Sequence, residues 1–184
     1  MQWRNSAGRY GAVSQSLHWI TVVLVLIAWA LGIFEDALPK GEVRATGLFI
    51  HVTAGVAILL MLMVRLLWRV VDPPPSPVPT VFGAWGDRAS RFAHCALYVL
   101  LVAVPAIGIA VQFAHAKSLP LFGLTEIASP WIANRPLARS MKEVHEILAN
   151  ALVMLAGLHA AAALIHHWVL RDRTLTRMLP GGGR

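Results

Sequence analysis

Four long apolar segments dominate this chain and restrict the kind of fold that it can adopt. They occupy residues 13–34, 48–71, 92–113 and 148–170, and each reaches the roughly 20 apolar residues that a membrane-crossing helix needs. Charged residues make up only 14% of the 184 residues, against about 25% in a typical soluble domain. The pattern predicts an all-α membrane protein in which residues 1–184 form a single domain, a four-helix transmembrane bundle running up-down-up-down.

Lysine and arginine side chains flank these segments unevenly. Ten of the sixteen fall on the side shared by both termini, and six fall on the other side. The ten are Arg4, Arg9, Arg65, Arg69, Arg88, Arg91, Arg171, Arg173, Arg177 and Arg184. Because cytoplasmic loops carry the excess of basic residues, we expect a multi-pass protein of the bacterial inner membrane with both termini cytoplasmic.

The linkers and the net charge agree with this topology. The proline-rich stretch at residues 72–79 cannot continue a helix, so it is expected to end the second segment. The net charge of +7 suits contact with anionic membrane lipid. No nucleic-acid partner is expected, because the arginines flank the apolar segments and do not form a separate basic domain.

Four histidines lie within or at the ends of three of the segments, where an ionisable side chain is costly and usually functional. Because the segments alternate in direction, only two pairs lie at matching depths: His18 with His159 near the inner face, and His51 with His145 near the outer face. His145 and His159 lie about 21 Å apart along one face of a helix. Two pairs of imidazoles at two depths predict two haem groups, each held through its iron by one pair.

A structural zinc ion and simple hydrogen bonding between helices are alternative roles for these histidines. Zinc takes four ligands at one point, whereas these histidines divide between two depths. Small residues one turn after three of them, at Gly55, Ala149 and Ala163, leave room for a flat macrocycle. Small residues also favour close packing of membrane helices. The chain contains no CxxCH motif, so the haem is expected to be bound non-covalently.

Three further histidines lie near the predicted inner face. His94 opens the third segment, and His166 and His167 close the fourth. One interpretation is an interfacial position with a hydrogen bond to the backbone. The functional alternative is a quinone site beside the inner haem, because a quinone carbonyl needs a hydrogen-bond donor and its reduction needs protons.

The connection between the third and fourth segments carries excess positive charge on the predicted outer side. Its cations are Lys117, Arg135, Arg139 and Lys142. A local positive field concentrates a small anionic substrate and speeds its encounter with the protein. The same cations could instead neutralise the propionates of the outer haem, and the sequence favours these two roles equally.

Several motifs resemble those of the bacterial cytochrome b561 family over residues 10–180. They are SLHW at His18, HVTAG at His51, HEILAN from His145, and GLHAAAALIHH followed by RDRTLTRMLP. The resemblance implies a four-helix membrane bundle with two non-covalent b haems, carried by the same four histidines. It also implies electron exchange with ubiquinone near His166 and His167. In the members that the chain resembles most, it implies oxidation of superoxide at the outer face.

The resulting hypothesis is an oxidoreductase of the respiratory membrane that moves electrons from periplasmic superoxide to ubiquinone. No catalytic residue is expected to touch superoxide, because two histidine ligands leave no open position on the iron and the reaction is outer-sphere. One alternative is a pure electron-transfer subunit, or a relay between quinol and a periplasmic redox protein. An alternative from another class is a metal-ion or proton transporter that uses the histidines as a relay.

Overall fold

Four long helices form the protein, at the positions of the apolar segments. The computed structural model describes residues 2–78 and 83–181; Pro79 in the proline-rich stretch and Arg184 among the flanking cations lie outside the described residues. The helices are α1 (Ala12–Ile33), α2 (Glu42–Val71), α3 (Gly83–Ala114) and α4 (Arg135–Trp168). Each is long and apolar enough to cross a membrane, so the predicted four-helix membrane fold is confirmed.

The fourth helix begins earlier than its apolar segment because its N-terminus is capped. The side chain of Asn134 accepts a hydrogen bond from the backbone N–H of Leu137, and Pro136 occupies the first turn. An Asn cap and an early proline are both favourable at a helix start. The cap therefore places the cationic first turns of α4 on a continuous helix with His145 and His159.

The helices pack in chain order. The closest contacts join α1 to α2 and α3 to α4, and α2 packs against α3 between these two pairs. The buried centre of the bundle consists of Ile58, Leu62, Leu101, Val104 and Leu152. Outward-facing residues remain exposed even when they are large and apolar; Met154 on α4, for example, is 69% exposed. Such a large exposed apolar surface is suited to contact with the hydrocarbon chains of membrane lipids.

The two termini meet at one end of the bundle, which we call the terminal end. The buried side chain of Gln15 donates hydrogen bonds to the carbonyls of Tyr10 and Arg177. Arg177 is also buried, and its Nε donates to the carbonyl of Gly8. These contacts join the segments before α1 and after α4, so both termini lie on the same side of the bundle.

The opposite end, which we call the strand end, carries a short antiparallel hairpin. Strand β1 (Leu119–Leu121) pairs with β2 (Thr125–Ile127), with Leu119 opposite Ile127. Phe122 and Gly123 turn the chain with positive φ values of 56° and 73°, as a tight two-strand connection requires. The hairpin packs against α2 and α3. Part of the connection between the third and fourth segments therefore forms regular structure at that end of the bundle.

Candidate functional site

Two of the four segment histidines face each other near the strand end. His51 lies on α2 and His145 on α4, and their ring centroids are 6.0 Å apart with an interplanar angle of 73°. Two nitrogen–metal bonds of about 2 Å each, plus the distance from each nitrogen to its ring centre, give a centroid separation of about 6 Å. The spacing of the two rings therefore suits one metal ion held between them.

Each of these rings is oriented by a backbone carbonyl. Nδ1 of His51 lies 2.8 Å from the carbonyl oxygen of Ala28 on α1, and Nδ1 of His145 lies 2.9 Å from that of Val104 on α3. A carbonyl oxygen can only accept, so Nδ1 carries the hydrogen in both rings. This leaves Nε2 of each ring free as a ligand, and histidines that bind metals are commonly oriented in this way.

A partly open apolar cavity lies beside the two rings. Its lining includes His51, His145, Gly55, Pro105 and Ala149. A Cβ atom at Gly55 would meet no atom within 4 Å, so the space beside α2 is open at this point. The residues that follow the two histidines by one turn thus leave room for a flat apolar group.

The donor set favours haem over a bare metal ion. Among residues 2–78 and 83–181, no group of three or more His, Cys, Asp or Glu side chains is arranged to hold a metal ion. Structural zinc needs four protein ligands, whereas a porphyrin supplies four nitrogens itself and needs only axial ligands from the chain. Two opposed imidazoles with an apolar cavity fit that requirement.

The terminal end brings together three histidines. The rings of His94 and His159 are 5.2 Å apart at an angle of 73°, and His18 on α1 lies near both of them and near Arg65. His94 donates from Nδ1 to the carbonyl of Ser90, at 2.7 Å. The structure therefore groups the two histidines predicted as inner haem ligands with one that was predicted to belong to the quinone site.

Arg65 is a further residue of this cluster, although its place in the sequence indicates only a charge that flanks an apolar segment. Its guanidinium lies 5.5 Å from the centroid of the Tyr98 ring, an arrangement that holds a cation against an aromatic face. The arginine thus supplies a fixed positive charge beside His18, His94 and His159.

His166 is hydrogen-bonded to a carboxylate whose role no sequence pattern indicates. Nδ1 of His166 donates to Oδ2 of Asp172 at 2.5 Å, and the backbone N–H of Thr174 donates to Oδ1 at 2.8 Å. Burial by itself would raise the pKa of Asp172, but the hydrogen bonds from His166 and Thr174 outweigh it and lower that pKa. The neighbouring His167 lies against Trp168, with ring centroids 6.3 Å apart.

The cations of the strand end differ in how far they are neutralised. Nζ of Lys142 lies 3.8 Å from a carboxylate oxygen of Glu35 and 3.7 Å from one of Glu146. Four other cations of this end are exposed, and within the described part of the chain they make no ion pair: Lys40, Lys117, Arg135 and Arg139. The unpaired positive charge therefore lies on the loop before α2, on the loop that leads from α3 into the hairpin, and on the first turns of α4.

One side-chain hydrogen bond links the two helix pairs between the two histidine levels. The indole N–H of Trp29 on α1 donates to the side-chain oxygen of Asn150 on α4, at 3.0 Å. Asn150 lies five residues after His145 and nine before His159, which is about 7.5 Å and 13.5 Å along the helix axis. In residues 2–78 and 83–181 it is the only side-chain hydrogen bond between a helix of one pair and a helix of the other.

Comparisons with known proteins agree with this geometry. The model of the family described as prokaryotic cytochrome b561 matches residues 9–181. The chain is 36% identical to a probable superoxide oxidase CybB of Yersinia pestis, over 94% of this chain and 96% of that protein. It is 32% identical to cytochrome b561 homolog 2 of Escherichia coli, over 97% and 95% of the two chains, and 29% identical to a cytochrome b562 of Cereibacter sphaeroides, over 92% and 94%.

The family assignment therefore rests on nearly the whole chain, and the fold and the paired histidines are those that a haem-binding membrane bundle needs. The predicted resemblance is confirmed: this chain belongs to the prokaryotic cytochrome b561 family, whose members are membrane-spanning b-type cytochromes that transfer electrons.

Proposed function

We propose that this cytochrome oxidises superoxide at its strand end and reduces ubiquinone at its terminal end. The observation that carries the proposal is the pair formed by His51 and His145, 6.0 Å apart, each with Nδ1 bound to a carbonyl. Haem bound there supplies reversible one-electron chemistry of its iron. A second haem b is proposed between His18 and His159, so that the chain carries two.

The ligand arrangement decides the type of reaction at the strand end. Nε2 of His51 and Nε2 of His145 would both bind the haem iron, so electron transfer from superoxide would be outer-sphere. The protein then needs no catalytic acid or base for the oxidation, which releases O2 and takes up no proton. The work of the chain at this end is to hold the two imidazoles and to bring the anion close.

Electrostatic attraction of superoxide is assigned to three of the cations that carry no ion pair, on α4 and on the loop after α3. Arg135 and Arg139 are exposed and lie one turn apart on α4, where like charges destabilise a helix slightly. Lys117 adds to their field from the loop after α3. Lys142 contributes less, because Glu35 and Glu146 already lie beside it. Similarity to the Yersinia pestis relative, a probable superoxide oxidase, also supports an anionic substrate.

Quinone reduction is proposed at the terminal end, near His94, His166 and His167. Two superoxide anions lose one electron each, and ubiquinone gains two electrons and two protons. His166 is the proposed proton donor: the Asp172 carboxylate accepts its Nδ1–H, so the imidazolium form would carry the second proton on Nε2 and give that proton to a bound quinone carbonyl. Asp172 lies just after the end of α4, at the terminal end of the bundle, where protons would arrive from the aqueous side.

The proposed orientation in the inner membrane follows from charge. The segments before α1 and after α4 lie at the same end of the bundle, and that end carries nine of the fifteen lysine and arginine residues that the structure describes. The rule that basic residues remain in the cytoplasm then places the terminal end inside and the strand end in the periplasm. We propose that residues 1–184 act as one domain in lipid, with ubiquinone and superoxide as redox partners.

The decisive experiment combines haem quantification with superoxide consumption. The purified protein is expected to contain two low-spin haems b per chain, and His145→Ala is expected to lose one. His115→Ala is the matched control, because His115 is exposed in the loop after α3, and it is expected to keep both. With a superoxide source and a soluble ubiquinone, the native protein is expected to accelerate superoxide decay and to form ubiquinol, unlike boiled protein.

The outcomes separate the possible functions. A dihaem protein that leaves superoxide decay unchanged but exchanges electrons with ubiquinol and a periplasmic redox protein is an electron carrier, and the enzymatic proposal is then wrong. A protein with two haems after His145→Ala refutes the ligand assignment. Family membership already makes a transporter without haem an unsuitable description.

A further inference from the structure

The two rings of the strand-end pair are held by the same backbone arrangement, repeated on two different helices. The His51 ring donates to the carbonyl of Ala28 and packs against Gly32 of the same helix, α1. The His145 ring donates to the carbonyl of Val104 and packs against Gly108 of α3. In both cases the carbonyl and the glycine are four residues apart.

The spacing of four has a direct physical reason. In an α-helix, the carbonyl of residue i points toward the N–H of residue i+4, and the side chains of these two residues lie on the same face. A histidine that donates to carbonyl i as a second donor must therefore pass over residue i+4. The carbonyl oxygen has two lone pairs and can accept both hydrogens, but a Cβ atom on residue i+4 would crowd the ring.

The distances show how little space is available. A Cβ at Gly108 would lie 3.0 Å from Cε1 and 3.4 Å from Nδ1 of His145. A Cβ at Gly32 would lie 3.3 Å from Cε1 and 3.6 Å from Nδ1 of His51. Normal carbon–carbon contacts are about 3.5–4.0 Å, so a methyl group at Gly108 forces its ring to move and one at Gly32 presses on its ring more weakly.

We propose that Gly32 and Gly108 are positioning residues that fix the crossed orientation of the two axial imidazoles, and through it the electronic state of the iron. The inference rests on the proposed function, in that it needs a haem between His51 and His145. The two ring planes cross at 73°, which is close to perpendicular. Imidazole planes in this orientation interact with different iron d orbitals, which leaves those orbitals nearly equal in energy.

The spectroscopic consequence is specific. Low-spin ferric haem with nearly perpendicular imidazoles gives a strongly anisotropic electron paramagnetic resonance signal, whereas parallel planes give a rhombic one. The native protein is therefore expected to show the strongly anisotropic type at the strand-end site. Rotation or displacement of one ring is expected to shift that signal toward the rhombic type or to abolish it.

The test compares three glycine variants by this resonance and by haem content. Gly108→Ala is expected to shift or remove the strand-end signal while the terminal-end signal stays unchanged, and Gly32→Ala is expected to give a smaller shift of the same signal. Gly157→Ala is the matched control, because a Cβ at Gly157 on α4 would meet no atom within 4 Å. It is expected to leave the strand-end signal as in the native protein.

The signal that His145→Ala removes identifies the strand-end haem. If His145→Ala removes no signal, the ligand assignment of the proposed function fails, and the glycine inference fails with it. If His145→Ala removes a signal that both Gly108→Ala and Gly32→Ala leave unaltered at full haem content, only the glycine inference is overturned. If Gly108→Ala does not fold, the milder Gly32→Ala decides by the same criterion.

Discussion

Removal of the hydrogen bond between Trp29 and Asn150 tests how the two helix pairs are held together. The bond is 3.0 Å long and joins α1 to α4 between the two histidine levels. Interhelical hydrogen bonds in membranes contribute about 0.6 kcal/mol on average and at most about 1.7 kcal/mol. This corresponds to a roughly 3- to 16-fold change in the unfolding equilibrium.

A double-mutant cycle isolates this energy. Trp29→Phe keeps a ring but removes the indole N–H, and Asn150→Ala removes the acceptor. Each single substitution is expected to lower the free energy of unfolding by more than the coupling energy. Packing is lost in both variants, and Trp29→Phe also leaves the Asn150 side chain without its donor. The double variant is expected to lose less unfolding free energy than the two single variants lose together, and the difference is expected to be about 0.6–1.7 kcal/mol.

The assay is denaturant unfolding of the purified protein, followed by helical circular dichroism and by haem absorbance. Leu158→Ala replaces Asn150→Ala in the control cycle, because Leu158 is an exposed residue of α4 about 12 Å further along the helix axis. That cycle is expected to be additive. A Trp29–Asn150 coupling energy below about 0.3 kcal/mol, the usual error of additivity, would refute the view that this hydrogen bond stabilises the packing of the two helix pairs.

Three further predictions concern the two ends and the core. Asp172→Asn is expected to slow ubiquinol formation without changing haem content. Because folding lowers the pKa of Asp172 from 3.8, its carboxylate stabilises the protein fully above pH 3.8, and this stability is lost as the pH falls through the lower folded-state pKa. The melting temperatures of the native and variant proteins should therefore differ at neutral pH and converge in acid. Replacing Arg135 and Arg139 together by Gln is expected to lower the second-order rate constant with superoxide and to weaken its dependence on ionic strength in stopped-flow measurements; an unchanged salt dependence would contradict electrostatic attraction at this site. Leu152→Ala in the buried centre is expected to destabilise the bundle by about 2–5 kcal/mol, as measured by denaturant unfolding, and a loss below about 1 kcal/mol would show that this centre is not tightly packed.

The membrane fold could be predicted from the sequence because it depends on local properties. An apolar segment of the right length forms a helix in lipid whatever its neighbours are, since its backbone hydrogen bonds must be satisfied within the segment. Helix rise is fixed at about 1.5 Å per residue, so the depth of each histidine could be estimated as well. The structure places His51 beside His145, and their ligation of haem remains a prediction.

The early start of α4 at Arg135 illustrates the limit of hydropathy. The first turns of this helix are charged, and only the cap at Asn134 and the proline after Arg135 indicate that the helix continues beyond the apolar segment. The hairpin formed by β1 and β2 is a similar case. Its strands have three residues each, too few for an alternating pattern to be recognised.

Several features depend on contacts between residues far apart in the chain, and these could come only from the folded structure. Examples are the carbonyl and glycine that hold each strand-end ring, the approach of His94 to His159, and the pairing of His166 with Asp172. No periodicity or composition indicates which carbonyl a distant imidazole will reach, because this depends on how helices rotate and cross. Hydropathy and fixed helix geometry thus specify the spans and the depth of each histidine, whereas interhelical packing specifies the orientation of the rings and hence the chemistry available to them.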